Sequence, residues 1–520
     1  MKKALSQIFN SRVLVVLILF IELLVFIFAA VFFIEYLAEI RTLLTIIAVI
    51  VALFVFNSRC NSSYKISWLC FLVIAPILGS FCYILFANKK FTKSEKKKYR
   101  PTYEALKIAN ASKEGKNALY EINREKDPDA FYFGKYLNDY SNTGIYKNSE
   151  VTYYPWGELA FKAMLKELKK AKHYIFMEYF IIAKGRMWDE ILKILSEKVK
   201  EGVDIRLMYD DLGSLSTLPS NYYRTMNEIG IKCIAVNRMR IYFDIRMNNR
   251  DHRKILVIDG HTGFTGGINI ADEYINEKIR FGKWKDNAIM IKGDAVFALT
   301  SLFLSHWTIY DKKSPLLKDY SPYLASVYSS ENDKHIHSDG LVAPYGSLPF
   351  TYETVGENVY LSLIAKARKY IYITTPYLIM DEQLNNALIL SAKAGVKIHL
   401  LTPHIPDKKA VFELTRSYYK DLVEAGVKVY EYTPGFVHAK TFLVDGIMAT
   451  VGTINLDYRS LFLHLENGCF LYKCSCIKDI EKDMIETFSN SREITKEMVN
   501  SSPLSKRIYR ALLKIFSSAM

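Results

Sequence analysis

Two short stretches of the chain place a histidine two residues before a lysine at the start of an apolar run. His252 and Lys254 open the run HRKILVID, and His438 and Lys440 open the run HAKTFLVD. Because alternate side chains of a strand point to the same face, each imidazole projects beside an ammonium group. Such a pair is out of place in an apolar core, so its types and spacing indicate chemistry on an anion.

The residues that follow each pair repeat as well. Gly266 and Asn269 come fourteen and seventeen residues after the first histidine, and Gly452 and Asn455 stand at the same spacing after the second. A single histidine-x-lysine match is a weak motif. Two copies with the same downstream glycine and asparagine indicate one function that needs both.

Phosphodiester transfer is a reaction that needs two such sets. A phosphodiester repels nucleophiles, so a site must neutralise its oxygens, supply a nucleophile and protonate the leaving alkoxide. Lys254 and Lys440 would neutralise the oxygens, and Asn269 and Asn455 would add neutral amide donors. One histidine would attack phosphorus to give a phosphohistidine, and the other would act as general acid and base. Because each repeat holds one histidine, we expect the site between two lobes.

Each imidazole also needs a carboxylate that holds its tautomer. Glu466, in LHLEN, and Asp286, in KWKDNAIMIKG, are the candidates for this orienting role. Asp259 and Asp445 lie seven residues after the two histidines, at the far ends of the strands. Their position favours a role in fixing the following turn.

From about Val151 onward, strands alternate with amphipathic helices, a pattern typical of α/β layers. The pattern occurs twice in the same order; for example, KEGVDIRLMYDD corresponds to KAGVKIHLLTPH. Residues 312–350 are rich in Ser, Pro, Tyr and Gly and interrupt it. The sequence therefore predicts two homologous lobes, 101–325 and 345–520, related by pseudo-twofold symmetry.

Composition restricts the partner of these lobes. The chain has 520 residues, half of them hydrophobic, and a formal net charge of +15, which predicts attraction to nucleic acid or to an acidic membrane surface. The seven cysteines are scattered and odd in number, so they predict no disulfide framework. Cys474 and Cys476 have no second pair of ligands at zinc spacing.

The first hundred residues favour the membrane. Apolar runs at about 13–36 and 66–86 predict transmembrane helices, and the shorter run 40–56 predicts either a third span or an interfacial segment. The first run is too long for the core of a signal peptide. The basic segment Lys89–Arg100 follows the last run, so we expect a multi-pass protein of the cell membrane with its lobes on the cytoplasmic side.

The tail SKRIYRALLKIF, residues 505–516, has the pattern of an amphipathic helix. Two alternatives follow from this pattern: an interfacial membrane helix, or a terminal helix packed on the second lobe.

The paired motifs resemble the HKD motifs of the phospholipase D superfamily. The stretches YDDLGS, GGINIADEY, TTPYLI and GTINLDYRS resemble its bacterial cardiolipin synthase branch, and the resemblance covers nearly the whole chain. It implies an enzyme that joins two phosphatidylglycerols into cardiolipin and glycerol through a phosphatidyl-histidine, without a metal or other cofactor. It implies His252 as the nucleophile and His438 as the general acid and base, although the symmetry allows the reverse. It also includes Asp259 and Asp445 in the catalytic motif.

Other functions fit the same residues. A hydrolytic phospholipase D, or a phosphatidyltransferase with a different donor or acceptor lipid, differs only in what attacks the intermediate. A nuclease of the superfamily has little need of apolar spans beside a basic segment, so we expect phosphatidylglycerol and anionic membrane lipids as partners, and no nucleic acid. The intact histidine-lysine pairs argue against an inactive scaffold. The oligomeric state stays open.

Overall fold

The protein is described by a computed structural model. It describes residues 23–25, 27–28, 38–86, 93–111, 116–238, 249–311, 317, 319–324, 340–351, 353–515 and 517. The chain divides into two compact units. The first comprises Met1–Asn88 with Met239–Ile245, and the second comprises Lys89–Arg238 with Arg246–Met520.

The described part of the first unit is helical, with α1 (Ala38–Asn57), α2 (Ser62–Ile74) and α3 (Pro76–Phe86). Val51 and Val55 of α1 pack against Leu72 of α2 in a small apolar cluster.

The prediction of one helix over 66–86 is wrong, because the helix is interrupted at Ala75, where the backbone has φ −138° and ψ 76°. Pro76 explains the break, since proline lacks an N–H group and disfavours helical geometry in the residue before it. The predicted run 40–56 lies within α1, whereas the run 13–36 lies almost wholly outside the described residues. Over the described ranges, no helix has both the length and the apolarity required to cross a membrane.

The second unit holds both predicted lobes. The strands of its first half are β1 (Ser149–Tyr154), β2 (Tyr174–Tyr179), β3 (Asp204–Asp210), β4 (Lys232–Val236), β5 (Lys254–Ile258), β6 (Thr262–Gly266), β7 (Lys283–Lys285) and β8 (Ala288–Gly293). Seven of them form one sheet in the order β1-β8-β6-β5-β2-β3-β4. The β2, β3 and β4 strands are parallel, and the other pairs are antiparallel.

The second half repeats this topology. Its strands are β9 (Leu341–Ser347), β10 (Tyr370–Thr374), β11 (Lys397–Pro403), β12 (Lys428–Tyr432), β13 (Gly435–Val437), β14 (Thr441–Val444), β15 (Met448–Gly452), β16 (Glu466–Tyr472) and β17 (Ser491–Ile494). The sheet order is β17-β12-β11-β10-β14-β15-β16-β9, which matches the first sheet apart from the added β17. The predicted α/β repeat is confirmed, although its second sheet already begins at Leu341, within the predicted link.

Helices cover the sheets in both halves. Their bounds are α4 (Lys93–Ala111), α5 (Pro128–Tyr136), α6 (Gly157–Leu168), α7 (Arg186–Lys200), α8 (Tyr222–Glu228), α9 (Val296–Tyr310), α10 (Val355–Lys366), α11 (Glu382–Lys393), α12 (Lys409–Arg416), α13 (Tyr419–Glu424), α14 (Tyr458–Phe462), α15 (Cys476–Ser489), α16 (Lys496–Asn500) and α17 (Leu504–Ile515). With both faces covered, every residue of β5 and β14 is buried, which explains their unbroken apolar runs.

The two lobes share a core and a pair of strands. Ile255 and Val257 of β5 belong to the same apolar cluster as Leu443 of β14 and Val451 of β15. In addition, β7 of the first lobe pairs in parallel with β13 of the second. These contacts bring together the front ends of β5 and β14, where the histidine-lysine pairs lie.

Candidate active site

The backbone of each histidine is bonded to the opposite lobe. The N–H group of His252 donates to the carbonyl of Leu465 over 2.9 Å, and that of His438 donates to the carbonyl of Lys285 over 2.7 Å. Both side chains are buried. Each histidine therefore lies where its own lobe contacts the other one, and that the two histidines act in one shared site stays a prediction.

The orienting carboxylates also cross between the lobes. Nδ1 of His252 lies 3.0 Å from both carboxylate oxygens of Glu466, in the second lobe. Nδ1 of His438 lies 2.7 Å from Oδ2 of Asp286, in the first lobe. A carboxylate at Nδ1 keeps the proton on that nitrogen and leaves Nε2 for the reaction. Both predicted partners are present, and each serves the histidine of the other half.

Glu466 is itself fixed by two hydroxyl groups. The Ser460 hydroxyl donates to its Oε1 over 2.5 Å, and the Thr453 hydroxyl donates to its Oε2. Ser460 is positioned in turn by Asp457, the N-cap of α14, which accepts the Ser460 N–H at 2.8 Å. The carboxylate thus has little freedom to leave the imidazole.

Burial is the main cause of the pKa shifts of both imidazoles. It lowers the pKa of His252 to about 3 and that of His438 to about 4, although the facing carboxylates oppose the effect. Burial alone would raise the pKa values of Asp286 and Glu466, but the adjacent histidines hold both below the ordinary range. Near neutral pH the site therefore contains neutral imidazoles and ionised carboxylates.

The two lysines lie beside their histidines in the buried site. Nζ of Lys254 donates to the carbonyl of His252 over 2.7 Å. Nζ of Lys440 lies 2.8 Å from Nδ1 of His438 and also donates to the carbonyl of that residue. Burial lowers the pKa of Lys254 to about 8 and that of Lys440 to about 7. An incoming anion would stabilise the charged form of both ammonium groups.

The two predicted asparagines are buried and held by their own neighbours. Nδ2 of Asn269 donates to the Tyr274 hydroxyl over 2.7 Å, and Nδ2 of Asn455 donates to Oδ2 of Asp457 over 2.9 Å. Each amide group has a second N–H, so one donor can still face a phosphoryl oxygen. Their phosphate-binding role stays a prediction.

The motif aspartates bind the backbone instead of the histidines. Asp259 accepts the N–H groups of three successive residues, 172–174, each over 2.8 Å. Asp445 accepts those of residues 368–370 over 2.7 to 2.8 Å. Both aspartates have positive φ, 50° and 54°, and a glycine follows each, as in tight hairpin turns. These backbone contacts support the turn-fixing role of the two aspartates.

We therefore expect Asp259→Ala to lower the free energy of unfolding by about 2 kcal/mol, because three backbone donors lose their acceptor. Thermal unfolding and the turnover of the folded fraction would measure the two effects separately. Asp259→Asn is the matched control, since it keeps an acceptor and tolerates positive φ. A variant with unchanged stability and no turnover would show that the aspartate acts in the chemistry.

Three residues of the site were not among the predicted ones. Nδ1 of His464 lies 3.6 Å from Oε1 of Glu466, and its ring centroid lies 5.7 Å from that of His252. Asn467 accepts the N–H of Lys254 over 3.2 Å, and Asn287 donates to the Thr441 hydroxyl over 2.8 Å. The signal was present in the sequence, because an asparagine directly follows each predicted carboxylate.

A buried charged cluster lies directly behind the first histidine. Arg253 is 2.7 Å from Glu178 and 3.3 Å from Asp251, and Nδ1 of His306 is 2.5 Å from Glu178. Burial raises the pKa of Asp251 to about 7, with the charge of Glu178 acting in the same direction. Because residues 251 and 253 flank His252, this cluster fixes the backbone at the point where the histidine projects.

Among the described residues, two groups bring three potential ligand side chains close enough for a metal ion: His252 with His464 and Glu466, and Glu178 with Asp251 and His306. The first group contains a reacting histidine, and the second contains the Arg253 guanidinium, whose charge opposes a cation.

Comparisons with known proteins agree with this geometry. The family described as cardiolipin synthase, PLD-like domain, matches residues 164–307 and 360–488, and that described as phospholipase D-nuclease N-terminal matches residues 43–88. A Bacillus cereus protein named cardiolipin synthase 2 is 33% identical over 475 residues, covering 91% of this chain and 90% of that protein. An uncharacterized Streptococcus mutans protein is 41% identical over 464 residues, covering 89% and 98%.

The fold has a relative among solved structures. The crystal structure of phosphatidylserine synthase from Haemophilus influenzae superposes with a TM-score of 0.53 at 15% identity, covering 71% of this chain and 93% of that one. The fold and the paired histidines are those of a two-lobed phospholipase D-type enzyme. The chain belongs to the cardiolipin synthase family and is a phosphatidyltransferase of the phospholipase D superfamily.

Proposed function

We propose that the chain transfers a phosphatidyl group from one phosphatidylglycerol to another, forming cardiolipin and glycerol through a phosphatidyl-histidine. The observation that carries this proposal is the crossed pairing of His252 with Glu466 and of His438 with Asp286. It gives one site two neutral imidazoles whose Nε2 atoms are available for the reaction, together with two ammonium groups for an anionic substrate.

In the first half-reaction, Nε2 of His252 attacks phosphorus and forms the P–N bond. The bond from phosphorus to the oxygen of the headgroup glycerol breaks, and this departing oxygen takes a proton from Nε2 of His438. That proton must be gained before the step, because burial lowers the pKa of His438 to about 4 in the empty site. The negative charge of the bound phosphodiester supplies the reason for proton uptake, since it stabilises the imidazolium.

In the second half-reaction, His438 removes the proton from a glycerol hydroxyl of the second phosphatidylglycerol. The resulting oxygen attacks phosphorus, the P–N bond breaks, and His252 returns to its neutral form. Asp286 stabilises the imidazolium in both halves, whereas Glu466 keeps His252 in the tautomer that can attack.

The location follows from the lipid substrate and the N-terminal composition. The apolar runs at 13–36 and 40–56 and the basic segment Lys89–Arg100 support a multi-pass anchor in the cell membrane with the lobes on the cytoplasmic side. Within the described residues, Lys98 of that segment donates to the carbonyls of Thr308 and Asp311 over 3.1 and 2.8 Å. The end of the basic segment is thereby attached to the first lobe.

Product analysis tests the proposal. Purified enzyme given only phosphatidylglycerol is expected to form cardiolipin and glycerol in about equal amounts, and added glycerol should drive the reaction back. Predominant phosphatidic acid would instead identify a hydrolase. Cardiolipin formed only after another lipid is supplied would change the donor or acceptor.

The same assay in EDTA is expected to give the same products, and a strict need for one divalent ion would contradict the metal-free mechanism.

Activity is expected to fall on the alkaline side. Phosphate binding needs charged ammonium groups, and the pKa values of Lys440 and Lys254 in the empty site are about 7 and about 8. Deprotonation above these values removes positive charge, so kcat/KM for dispersed phosphatidylglycerol should decrease as the pH rises through this range. A flat profile from about pH 6 to about pH 10 would contradict this assignment.

A further inference from the structure

The last helix, α17, exposes the apolar face that a surface helix normally buries. Leu504, Ile508 and Leu512 stand four residues apart on one stripe, with 69%, 53% and 53% of their surface exposed. No residue of this helix that the structure describes is buried. By contrast, α7 buries Met187, Trp188, Ile191, Ile194 and Leu195 and turns its charges outward.

The polar side of α17 is the side that contacts the second lobe. Arg510 forms an ion pair with Glu413 of α12 at 2.8 Å. The ammonium group of Lys514 lies 4.6 Å from the centre of the Tyr418 ring, and Leu513 packs against the buried apolar cluster of the second lobe that contains Tyr418. The helix is therefore docked with its apolar stripe pointing away from the lobe, which distinguishes it from an ordinary amphipathic surface helix.

The three side chains form one continuous apolar stripe, and the exposure of such a stripe to water is unfavourable. Residues 504–515 contain four basic residues and no acidic one, and the exposed Arg507 stands at the edge of the stripe. A second copy docked by the same helix would place like charges together. An anionic bilayer complements both the apolar stripe and its basic surroundings.

We propose that Leu504, Ile508 and Leu512 of α17 insert into the surface of a bilayer rich in anionic lipid and hold the second lobe against it. This inference rests on the proposed function, which requires the lobes to take lipid from a membrane. The helix would lie in the plane of the surface, with its apolar side about 5 to 10 Å below the headgroup boundary. The contacts of Arg510 and Lys514 with the lobe would transmit this orientation to the rest of the enzyme.

A fluorescent label tests the position of the helix in the full-length enzyme. The variants Ile508→Cys and Lys506→Cys are labelled with an environment-sensitive dye, and the unsubstituted chain gives the background of its seven cysteines. Lys506 is the matched control because it is exposed on the same helix, about 160° around the axis from position 508. The enzyme is reconstituted in phosphatidylcholine vesicles with and without an equal amount of phosphatidylglycerol.

In vesicles that contain phosphatidylglycerol, acrylamide is expected to quench the dye at position 508 at least about threefold less than the dye at position 506. Equal quenching at the two positions overturns the proposal. If the dye at position 508 is protected equally well in vesicles of pure phosphatidylcholine, the part of the proposal that requires anionic lipid is wrong. Protection lost when the enzyme is diluted below one copy per vesicle identifies a second chain as the occupant and also overturns it.

Activity gives an independent measurement. The double variant with Ile508→Ser and Leu512→Ser changes exposed residues, so its thermal unfolding should match that of the unsubstituted enzyme. We expect about tenfold lower turnover on vesicles and unchanged turnover on detergent-dispersed lipid, where no bilayer has to be reached. Unchanged turnover on vesicles contradicts the inference. If the unsubstituted enzyme makes no cardiolipin, the proposed function fails, while the quenching result still decides the position of the helix.

Discussion

Replacing either His252 or His438 with alanine is expected to reduce turnover at least about a hundredfold, because each removes a group that forms or breaks a bond to the substrate. Turnover would be measured as cardiolipin formed from phosphatidylglycerol. The matched control is His173→Ala, since the side chain of His173 is exposed in the first lobe and alanine keeps the backbone N–H group that donates to Asp259. Near-normal turnover in either active-site variant would contradict a site built from both lobes.

The two histidines can also be told apart. A lipid phosphodiester with a p-nitrophenol leaving group needs little protonation, so loss of the general acid should be tolerated in its first step. We expect His438→Ala to release a burst of p-nitrophenol and His252→Ala to release none. Acid-quenched enzyme should carry the labelled lipid phosphate on His252. A label on His438, with the burst lost in that variant instead, would reverse the roles.

The second large effect on turnover is expected when the two carboxylates that contact the histidines are replaced by amides. Glu466→Gln and Asp286→Asn keep the size of each side chain but remove the charge that holds Nδ1–H, so we expect turnover to fall by about a hundredfold or more. The crossed contacts predict which of the two carboxylate variants loses the first half-reaction. Glu466→Gln should abolish the p-nitrophenol burst as His252→Ala does, and Asp286→Asn should leave it as His438→Ala does.

A control for this experiment is Glu431→Gln, because Glu431 is a buried carboxylate of the second lobe that contacts Arg416 at 2.8 Å and His404 at 2.9 Å instead of a reacting histidine. It should affect stability more than the burst. If Glu466→Gln spared the burst while Asp286→Asn removed it, either the crossed pairing or the assignment of the nucleophile would be wrong.

The components of the site could be predicted because their signals are local. A histidine and a lysine on one strand face, an asparagine at a repeated distance and a carboxylate in the following motif can all be read within a few tens of residues. The repeat of strands and helices predicted the two lobes in the same way. The structure confirms this, because the strand order of the two sheets is the same apart from the added β17.

The crossed partners could not be predicted, since they depend on how the lobes pack. Glu466 is 214 residues from the histidine that it holds, and Asp286 is 152 residues from His438. No periodicity reports such a contact. The pairing of β7 with β13 was missed for the same reason, because three-residue strands carry almost no pattern. The break at Ala75 was missed although Pro76 was visible, because apolar continuity was given more weight than the proline.

The crossed carboxylates also constrain how the two halves of the gene can change. Neither half of the gene encodes a histidine together with the carboxylate that contacts it. A gene copy that lost one half would therefore encode a histidine without its carboxylate. Two defective chains, one altered at His252 and the other at His438, can restore activity to each other only by exchanging whole lobes. A substitution at Glu466 in the second lobe therefore acts on His252 of the first, and one at Asp286 in the first lobe acts on His438 of the second.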